Sequence, residues 1–569
     1  MVFYDFEVMK YDWLVVVINP FEETTTVIVN DSNKLGRFYE ENKSKIWVGY
    51  NSRNYDQYIL KAILLGFNPK DVNDWIIVEK RKGWEYSSLF NALQLYNYDC
   101  MPKGYGLKQL ESYMGDNIKE TSVPFDIDRP LTPEEIDETV KYCIHDVEET
   151  MKVFNANIED FRAHLSLLKT FDLPIHNISK TQAQLSALAL GCIRREWDDE
   201  WDYSIIDTLR IRKYESVVNW FKAPENRNYS KRLTVNVCGV PHVFGWGGLH
   251  GAPAKPVHVK GLILHVDVAS FYPSIMIRYD MLSRNVQDKG VYKQIYDMRL
   301  SLKRAGKKKE QAPYKIILNS TYGICKDEYS LAYDPRQANN VCVNGQLLLL
   351  DLLEHLEPVE GFRLIQSNTD GLIIQIPDTD AAFEQVDDIC YEWETRTGMG
   401  LSLDVISEIY QKDVNNYLWI DENGEIERKG AYVKPLNDLD YDLAIVNRAI
   451  VDYMVKGIPV KETVNTCDCL RDYQKTVKVS SKYKCGWYEG KRLSDRTFRV
   501  FASRNHADSF IGKVKNKNGV DVVEKFANTP LYCFIENGDI TGASVPDRLD
   551  KGWYIELAYK RLRDFGVTT

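Results

Sequence analysis

Two aspartates placed at the ends of apolar strands restrict the middle of this chain more than any other feature. Asp267 closes the run Leu262-Ile263-Leu264-His265-Val266, and Asp370 sits at the tip of a hairpin read over Phe362–Ile376, in the turn Asn368-Thr369-Asp370-Gly371. A carboxylate carried past the end of such a strand does not turn into a core, because a buried unpaired charge is very costly. Either aspartate alone reads as an ordinary turn residue. Two of them on separate strand ends can share a pair of Mg²⁺ ions, one activating a hydroxyl and the other holding a triphosphate.

The sequence between them is basic and helical. Lys315-Ile316-Ile317-Leu318-Asn319-Ser320-Thr321-Tyr322-Gly323 places Lys315, Asn319 and Tyr322 along one helical face, and Arg299 and Lys303 stand four apart upstream. The lysines and the arginine suit phosphate oxygens, Tyr322 suits packing on a base pair, and Gly323 permits close backbone approach or ends the helix. An ordinary basic surface helix fits the same pattern. The expected elements around this region are a helix over Thr181–Arg195, β-like sequence ending in Trp246-Gly247-Gly248, a strand over Gly261–Val268, a tight Ser270–Ser274 segment and a helical hairpin from about Tyr292 to Gly323.

The N-terminus repeats the carboxylate logic. Phe3–Val8 and Trp13–Asn19 read as paired strands around a Lys10-Tyr11-Asp12 turn, with Thr24–Val29 as a third. Alternation along the first strand puts Asp5 and Glu7 on one face. Thr132-Pro133-Glu134-Glu135 carries a helix start with a capping-box glutamate, and the helix it opens places Tyr142 and Asp146 on one side. Asn51-Ser52-Arg53-Asn54-Tyr55-Asp56 adds a further acid and ring.

At 569 residues the chain is too long for one hydrophobic core and is expected to hold several domains. Hydrophobic residues make up 44% and charged residues 27%, no stretch reaches the length of a membrane span, and no secretory signal is visible, so a cytoplasmic location without membrane contact is expected. The eleven cysteines show no framework; Cys467, Cys469 and Cys485 lack a convincing fourth ligand and are read as thiols. Net charge is −10, yet between Lys475 and Lys517 twelve basic residues face three acids, with Tyr483, Trp487, Tyr488 and Phe498 interleaved. Such a stretch, with Lys482, Lys484, Arg496 and Arg499 at its centre, suits phosphate contacts with aromatic platforms beside them, or else a solvated charged face.

The motifs then acquire a family. Asp267-Val268-Ala269-Ser270-Phe271-Tyr272-Pro273-Ser274 resembles motif A of family B DNA polymerases, Lys315 to Gly323 resembles motif B, and Asn368-Thr369-Asp370-Gly371 resembles motif C, in the family's order. The resemblance implies that Asp267, Val268 and Asp370 form the polymerase metal set, that Tyr272 packs under the incoming sugar and excludes a 2′-hydroxyl, and that Lys315, Asn319, Tyr322, Arg299 and Lys303 bind the nucleotide. Motif C departs from the family, since Asn368 replaces the first of two aspartates. Asp5-Phe6-Glu7, Asn51 to Asp56 and Tyr142 to Asp146 resemble the three exonuclease motifs of proofreading polymerases. There Asp5, Glu7, Asp56 and Asp146 would bind two ions, Tyr142 would orient the attacking water, and Asn51 and Tyr55 would hold the frayed primer end. Lys108 matches an accessory lysine of some such exonucleases, or is a surface lysine. Tyr417 in Asn415-Asn416-Tyr417 sits where the family has a lysine-rich motif, without the lysines; Lys429-Gly430 resembles a palm-strand Lys-Gly; and Phe244-Gly245-Trp246-Gly247-Gly248 loosely resembles a loop that couples the two sites in protein-primed members.

The resemblance implies a multidomain α+β and α/β protein: an RNase H-like exonuclease over residues 1–165, a connecting region over 166–260, a palm over 261–290 and 326–435, fingers over 291–325, and a thumb with the C-terminal region over 436–569. It implies Mg²⁺, two ions at each site, with Mn²⁺ able to substitute. Primer–template DNA and deoxynucleoside triphosphates are the implied partners, with Gly323 and Tyr417 joining the DNA contacts. Only 48 positions separate Asp267 from Lys315, and 47 separate Gly323 from Asp370, which leaves no room for the insertions of protein-primed members. The expectation is therefore a compact phage-type replicase that extends nucleic-acid primers. A terminal protein is disfavoured, and a helicase, a primase or a single-strand-binding protein are candidate partners. Asn368 keeps two alternatives open: a DNA-binding replication subunit with a decayed polymerase site, and a nuclease whose palm only holds DNA.

Overall fold

Strand β1 (Val2–Val8) alternates between two environments, and that alternation sets the N-terminal architecture. Val2, Tyr4, Phe6 and Val8 enter a core with Trp47, Ile59, Leu60 and Phe90. Phe3 packs edge-on against Phe154 of the helix Pro133–Ala156, so Asp5 and Glu7 face that helix too. β1 pairs antiparallel with β2 (Trp13–Asn19), which pairs with β3 (Thr24–Val29); on its other edge it runs parallel to β4 (Ile46–Gly49), itself parallel to β5 (Tyr96–Asp99). The resulting order β3-β2-β1-β4-β5, with helices on the faces, is the RNase H-like arrangement expected.

The computed structural model describes residues 1–568 of a multidomain α+β chain that packs as two units. The first comprises Met1–Lys180, Leu436–Ile445 and Val464–Tyr554; the second comprises Thr181–Pro435, Val446–Thr463 and Ile555–Thr569. Within the first unit, the C-terminal segment adds a sheet of Lys475–Lys478, Thr497–Ala502 and Cys533–Ile535 and a second of Lys491–Leu493, Cys485–Tyr488, Gly512–Lys517 and Val520–Lys525.

The second unit is built on a nine-stranded sheet. Its strands are β6 (Leu233–Val237), β7 (Val240–Phe244), β8 (His250–Gly251), β9 (Val257–Val268), β10 (Arg363–Asn368), β11 (Gly371–Gln375), β12 (Leu401–Asp413), β13 (Asn416–Asp421) and β14 (Ile426–Lys429), in the order β14-β13-β12-β9-β11-β10-β8-β7-β6. β9 lies in its interior, between β12 and β11. The basic hairpin forms as two helices, Lys289–Arg304 and Lys308–Lys326, turned by Gly306 at φ +70°.

Three elements differ from expectation. The helix expected over Thr181–Arg195 spans only Gln182–Ala189: Thr181 and Gln184 cap its start, and Gly191 at φ +59° turns the chain away. The Ser270–Ser274 segment opens a helix, Phe271–Arg278, with Ser270 left-handed at φ +50° before it. A helix over Pro335–Leu356 was not foreseen. It is buried almost all round, and its polar residues pin the incoming chain: Asn340 and Asn344 accept from the backbone N–H of Ser204 and Ile206, and Gln346 both accepts from and donates to Gly245. No helix among the described residues is long and apolar enough to cross a membrane.

Candidate active sites

In the first unit the capping box forms as read. The Thr132 hydroxyl accepts from the Glu135 N–H at 3.3 Å, the Thr132 N–H donates to the Glu135 carboxylate at 2.8 Å, and Arg129 adds a bidentate pair. The helix so started carries Tyr142, Cys143 and Asp146 over β1. Asp5, Glu7 and Cys143 have ligand atoms within 4.8 Å of one another, as do Glu111, His145 and Asp146. The Asp56 carboxylate starts the helix Asp56–Leu64 and accepts from the Phe6 N–H at 3.2 Å. Lys108 bridges Asp146 at 2.7 Å and Glu111 at 3.1 Å, and its ammonium lies 4.8 Å from the centre of the Tyr142 ring. It is not a surface lysine. The Tyr55 hydroxyl donates to Asn73 at 2.7 Å, and Asn51, left-handed at φ +57°, accepts from the Asn54 amide.

Electrostatics make this a cation-seeking cluster. Burial, then the charges of Asp56 and Glu7, holds the Asp5 carboxyl well above the ordinary range. Burial, then Asp146, does the same to Glu7, and burial pushes Asp56 up to about 7. Four carboxylates with one lysine among them suit hard divalent ions, and Asp5, Glu7, Asp56 and Asp146 are the residues that would hold them.

A pH dependence follows. Because these carboxyls are harder to ionise in the fold than in the unfolded chain, the native state holds the extra protons, so stability falls as pH rises from the ordinary carboxylate range through about 7. In EDTA the melting temperature is expected to drop between about pH 5 and about pH 8, and Asp56→Asn should recover part of it, at about 2–4 °C per kcal/mol. Melting curves with and without divalent ions check this; a flat profile in EDTA would mean the carboxylates are not forced together.

In the second unit, β9 and β11 pair so that Asp267 lies opposite Gly371, and the Val268 N–H donates to the Asp370 backbone carbonyl at 2.8 Å. The two strand-end aspartates are thus neighbours. Burial, then the Asp370 charge, raises the Asp267 carboxyl above its ordinary value. They line a cavity of about 350 Å³ on one face of the sheet with Asn368, Asp404, Tyr417 and Lys429 among its other walls. Oxygen ligands on adjacent strands, with a like charge beside them, fit a divalent ion there. Tyr417 stacks on Trp419 with ring centres 5.1 Å apart, and the Lys429 ammonium lies 5.7 Å from the Tyr417 ring centre.

Tyr272 is half-buried against Tyr322, ring centres 4.8 Å apart, and crosses the helix Pro335–Leu356 at Gly345, where a Cβ would come within 3.1 Å of its ring. Arg299 donates to the Ser270 hydroxyl at 2.7 Å, while its buried Nε has no hydrogen-bond partner among the described residues. Lys303, Lys315, Asn319 and Gly323 are exposed. The Trp246-Gly247-Gly248 loop reaches the Asn368–Gly371 turn: the Thr369 N–H donates to the Leu249 carbonyl at 2.9 Å, and a Cβ on Gly248 would meet the Thr369 hydroxyl at 2.6 Å.

The basic stretch requires a correction. Arg499 is fully buried and donates to the backbone carbonyls of Ser112, Asp116, Glu536 and Gly538, so it cannot contact DNA. Tyr483 and Phe498 are core residues rather than stacking platforms. Lys482 is exposed beside the Tyr483 ring, Lys484 pairs with Asp521 at 2.6 Å, and Arg496 donates to the Tyr483 carbonyl. Glu111 and His145 escaped sequence reading, although Glu111 stands one helical turn from Lys108.

No family model matches the chain. It is similar to DNA polymerase 1 of Aeropyrum pernix, 22% identical over an alignment of 437 residues that covers 69% of this chain and 43% of that protein. It is also 22% identical over 201 residues to DNA polymerase 1 of Sulfurisphaera ohwakuensis, covering 34% of this chain and 21% of that protein. The matched segment is less than half of either relative. Among solved structures, the family B DNA polymerase from the hyperthermophilic archaeon Pyrobaculum calidifontis aligns with all of this chain and 78% of its own, at a TM-score of 0.42 and 15% identity. The sequence likeness therefore runs to DNA polymerases, over about two thirds of the chain.

Proposed function

We propose that the chain is a family B DNA polymerase that extends nucleic-acid primers and removes mispaired 3′ ends at a separate 3′→5′ exonuclease site. The observation that carries this reading is the pairing of β9 with β11, which sets Asp267 beside Asp370 at a cavity on the sheet, with Lys303 near enough for its charge to act on Asp267. Divalent ions held at each carboxylate set, Mg²⁺ or Mn²⁺, would supply charge neutralisation at the phosphate and activation of the attacking oxygen. The chain's own residues do the rest. Lys315, Lys303 and Arg299 would attract the triphosphate, Asn319 would hold it, and the Tyr272 ring would stand against the sugar. In the exonuclease, Tyr142 would orient water, and Asn51 and Tyr55 would grip the frayed strand. Lys482, Lys484 and Arg496 would meet the DNA backbone in a thumb-like role, Tyr417 and Gly323 would contact the primer–template, and the compact motif spacing fits a phage-type replicase.

The test is a labelled primer–template with Mg²⁺, with and without deoxynucleotides. Extension supports the polymerase and shortening without nucleotides supports the exonuclease. Asn368 favours a second reading, a nuclease whose palm only holds DNA; shortening with no extension would select it. Tyr272→Ala is expected to raise ribonucleotide insertion relative to deoxyribonucleotide insertion by about 10–100-fold, the range that one pocket contact discriminates. Single-insertion kinetics measure the ratio, and unchanged discrimination would remove the sugar-wall role.

A further inference from the structure

Glu111 is the least expected charge in the first unit. It is fully buried on the helix Leu107–Met114, and its Oε1 has no hydrogen-bond partner among the described residues. Its Oε2 receives Lys108 at 3.1 Å and lies 3.5 Å from the His145 Nε2. A buried ion pair is weak evidence for stability, and a carboxylate with an orphan oxygen weaker still, because well-packed apolar residues serve a core as well or better. Exposed i,i+3 pairs are commonplace, but Lys108 and Glu111 have side chains only 13% and 0% exposed.

The geometry explains what the pair does. A lysine on a four-carbon stem has many rotamers, and Glu111, one turn along the helix, fixes the one that carries the ammonium to Asp146 at 2.7 Å and over the Tyr142 ring. The ammonium fills the space between Glu111 and Asp146. The backbone beneath is held from its other end. The Tyr113 carbonyl accepts from Arg471 at 2.7 Å and Gln474 at 3.2 Å, and the Ser112 hydroxyl lies 2.8 Å from that of Thr476. Side chain and helix are thus preorganised toward one target.

We propose that Glu111 is a positioning residue of the exonuclease site, acting through Lys108: it fixes the ammonium and shares its charge, so that the Asp146 carboxylate stays available to a divalent ion. This rests on the exonuclease reading above. Replacing Glu111 with glutamine keeps the shape but leaves the lysine's full charge on Asp146.

The experiment uses the full chain and four proteins: wild type, Glu111→Gln, Lys108→Met and the double variant. Single-turnover degradation of a single-stranded oligonucleotide is expected to slow about 10–100-fold in Glu111→Gln, the usual effect of losing a partner that orients a metal ligand. Mn²⁺ affinity without DNA, read from free Mn²⁺ by electron paramagnetic resonance, is expected to weaken several-fold. Neither change should recur when Glu111→Gln is added to Lys108→Met. Equal effects in both backgrounds would overturn the proposal, because a structural role would not need the lysine. A wild type that degrades DNA while Glu111→Gln matches it in rate and Mn²⁺ affinity would overturn this inference alone. A wild type that neither degrades DNA nor binds Mn²⁺ would remove the exonuclease reading itself.

Discussion

Asp370→Ala is expected to cut primer extension by about a thousandfold or more while leaving single-strand degradation within about twofold. The selectivity follows from how the residue is held. What ties Asp370 into the sheet is its backbone: the Val268 N–H donates to its carbonyl, and Gly371 continues the register opposite Asp267. Alanine preserves both contacts, so the hairpin should persist with one carboxylate missing. That carboxylate is half of the charge pair proposed to hold the ions, and Asn368 beside it cannot substitute, being neutral. Asp5→Ala should give the mirror image, because Asp5 belongs to a different sheet, where it faces Asp56 and Glu7. Gel assays of extension and degradation on the same preparations decide the matter. Loss of both activities in either variant would contradict two independent sites.

The parts of this arrangement that were legible in the sequence are those written in short-range pattern. β1 and the helix Pro133–Ala156 could be located because strand alternation and a capping box are local signals, and together they bring Asp5, Glu7, Tyr142 and Asp146 near enough for their charges to act on one another. The hairpin carrying Asp370 was equally local. The helix Pro335–Leu356 was invisible for the opposite reason. Its asparagines and Gln346 read as surface residues but are buried and bond to chain more than 100 residues away, so the polar positions that would mark a solvent face mark tertiary contacts instead. The basic stretch misled in the same way. Counting cations measured composition, whereas the role of each depends on strand alternation within sheets that only the tertiary fold defines. Lys482 stays exposed while Arg499 points inward.

Arg499→Met is accordingly expected to destabilise the first unit by about 3–5 kcal/mol, the summed cost of leaving several buried carbonyls without a donor. The guanidinium donates to four carbonyls, two of them, Ser112 and Asp116, at the end of the helix that carries Lys108 and Glu111, and two at Glu536 and Gly538. Burial pushes its pKa down to about 10, so it stays charged at neutral pH with carbonyl dipoles rather than a carboxylate in direct hydrogen-bond contact. Methionine fills much of the volume but leaves those carbonyls unsatisfied. Arg499→Lys should recover little, since a single ammonium cannot span carbonyls that a planar fork reaches together. The measurement pairs a thermal melt with DNA affinity at two salt concentrations. A lowered melting temperature with an unchanged salt slope of binding fits a structural arginine. A flat melting temperature with a slope reduced by about one phosphate contact would return Arg499 to the DNA surface. The same variant bears on the proposed exonuclease site, because loosening the end of the Leu107–Met114 helix should slow degradation through Lys108 before the unit unfolds, and extension should not follow it down.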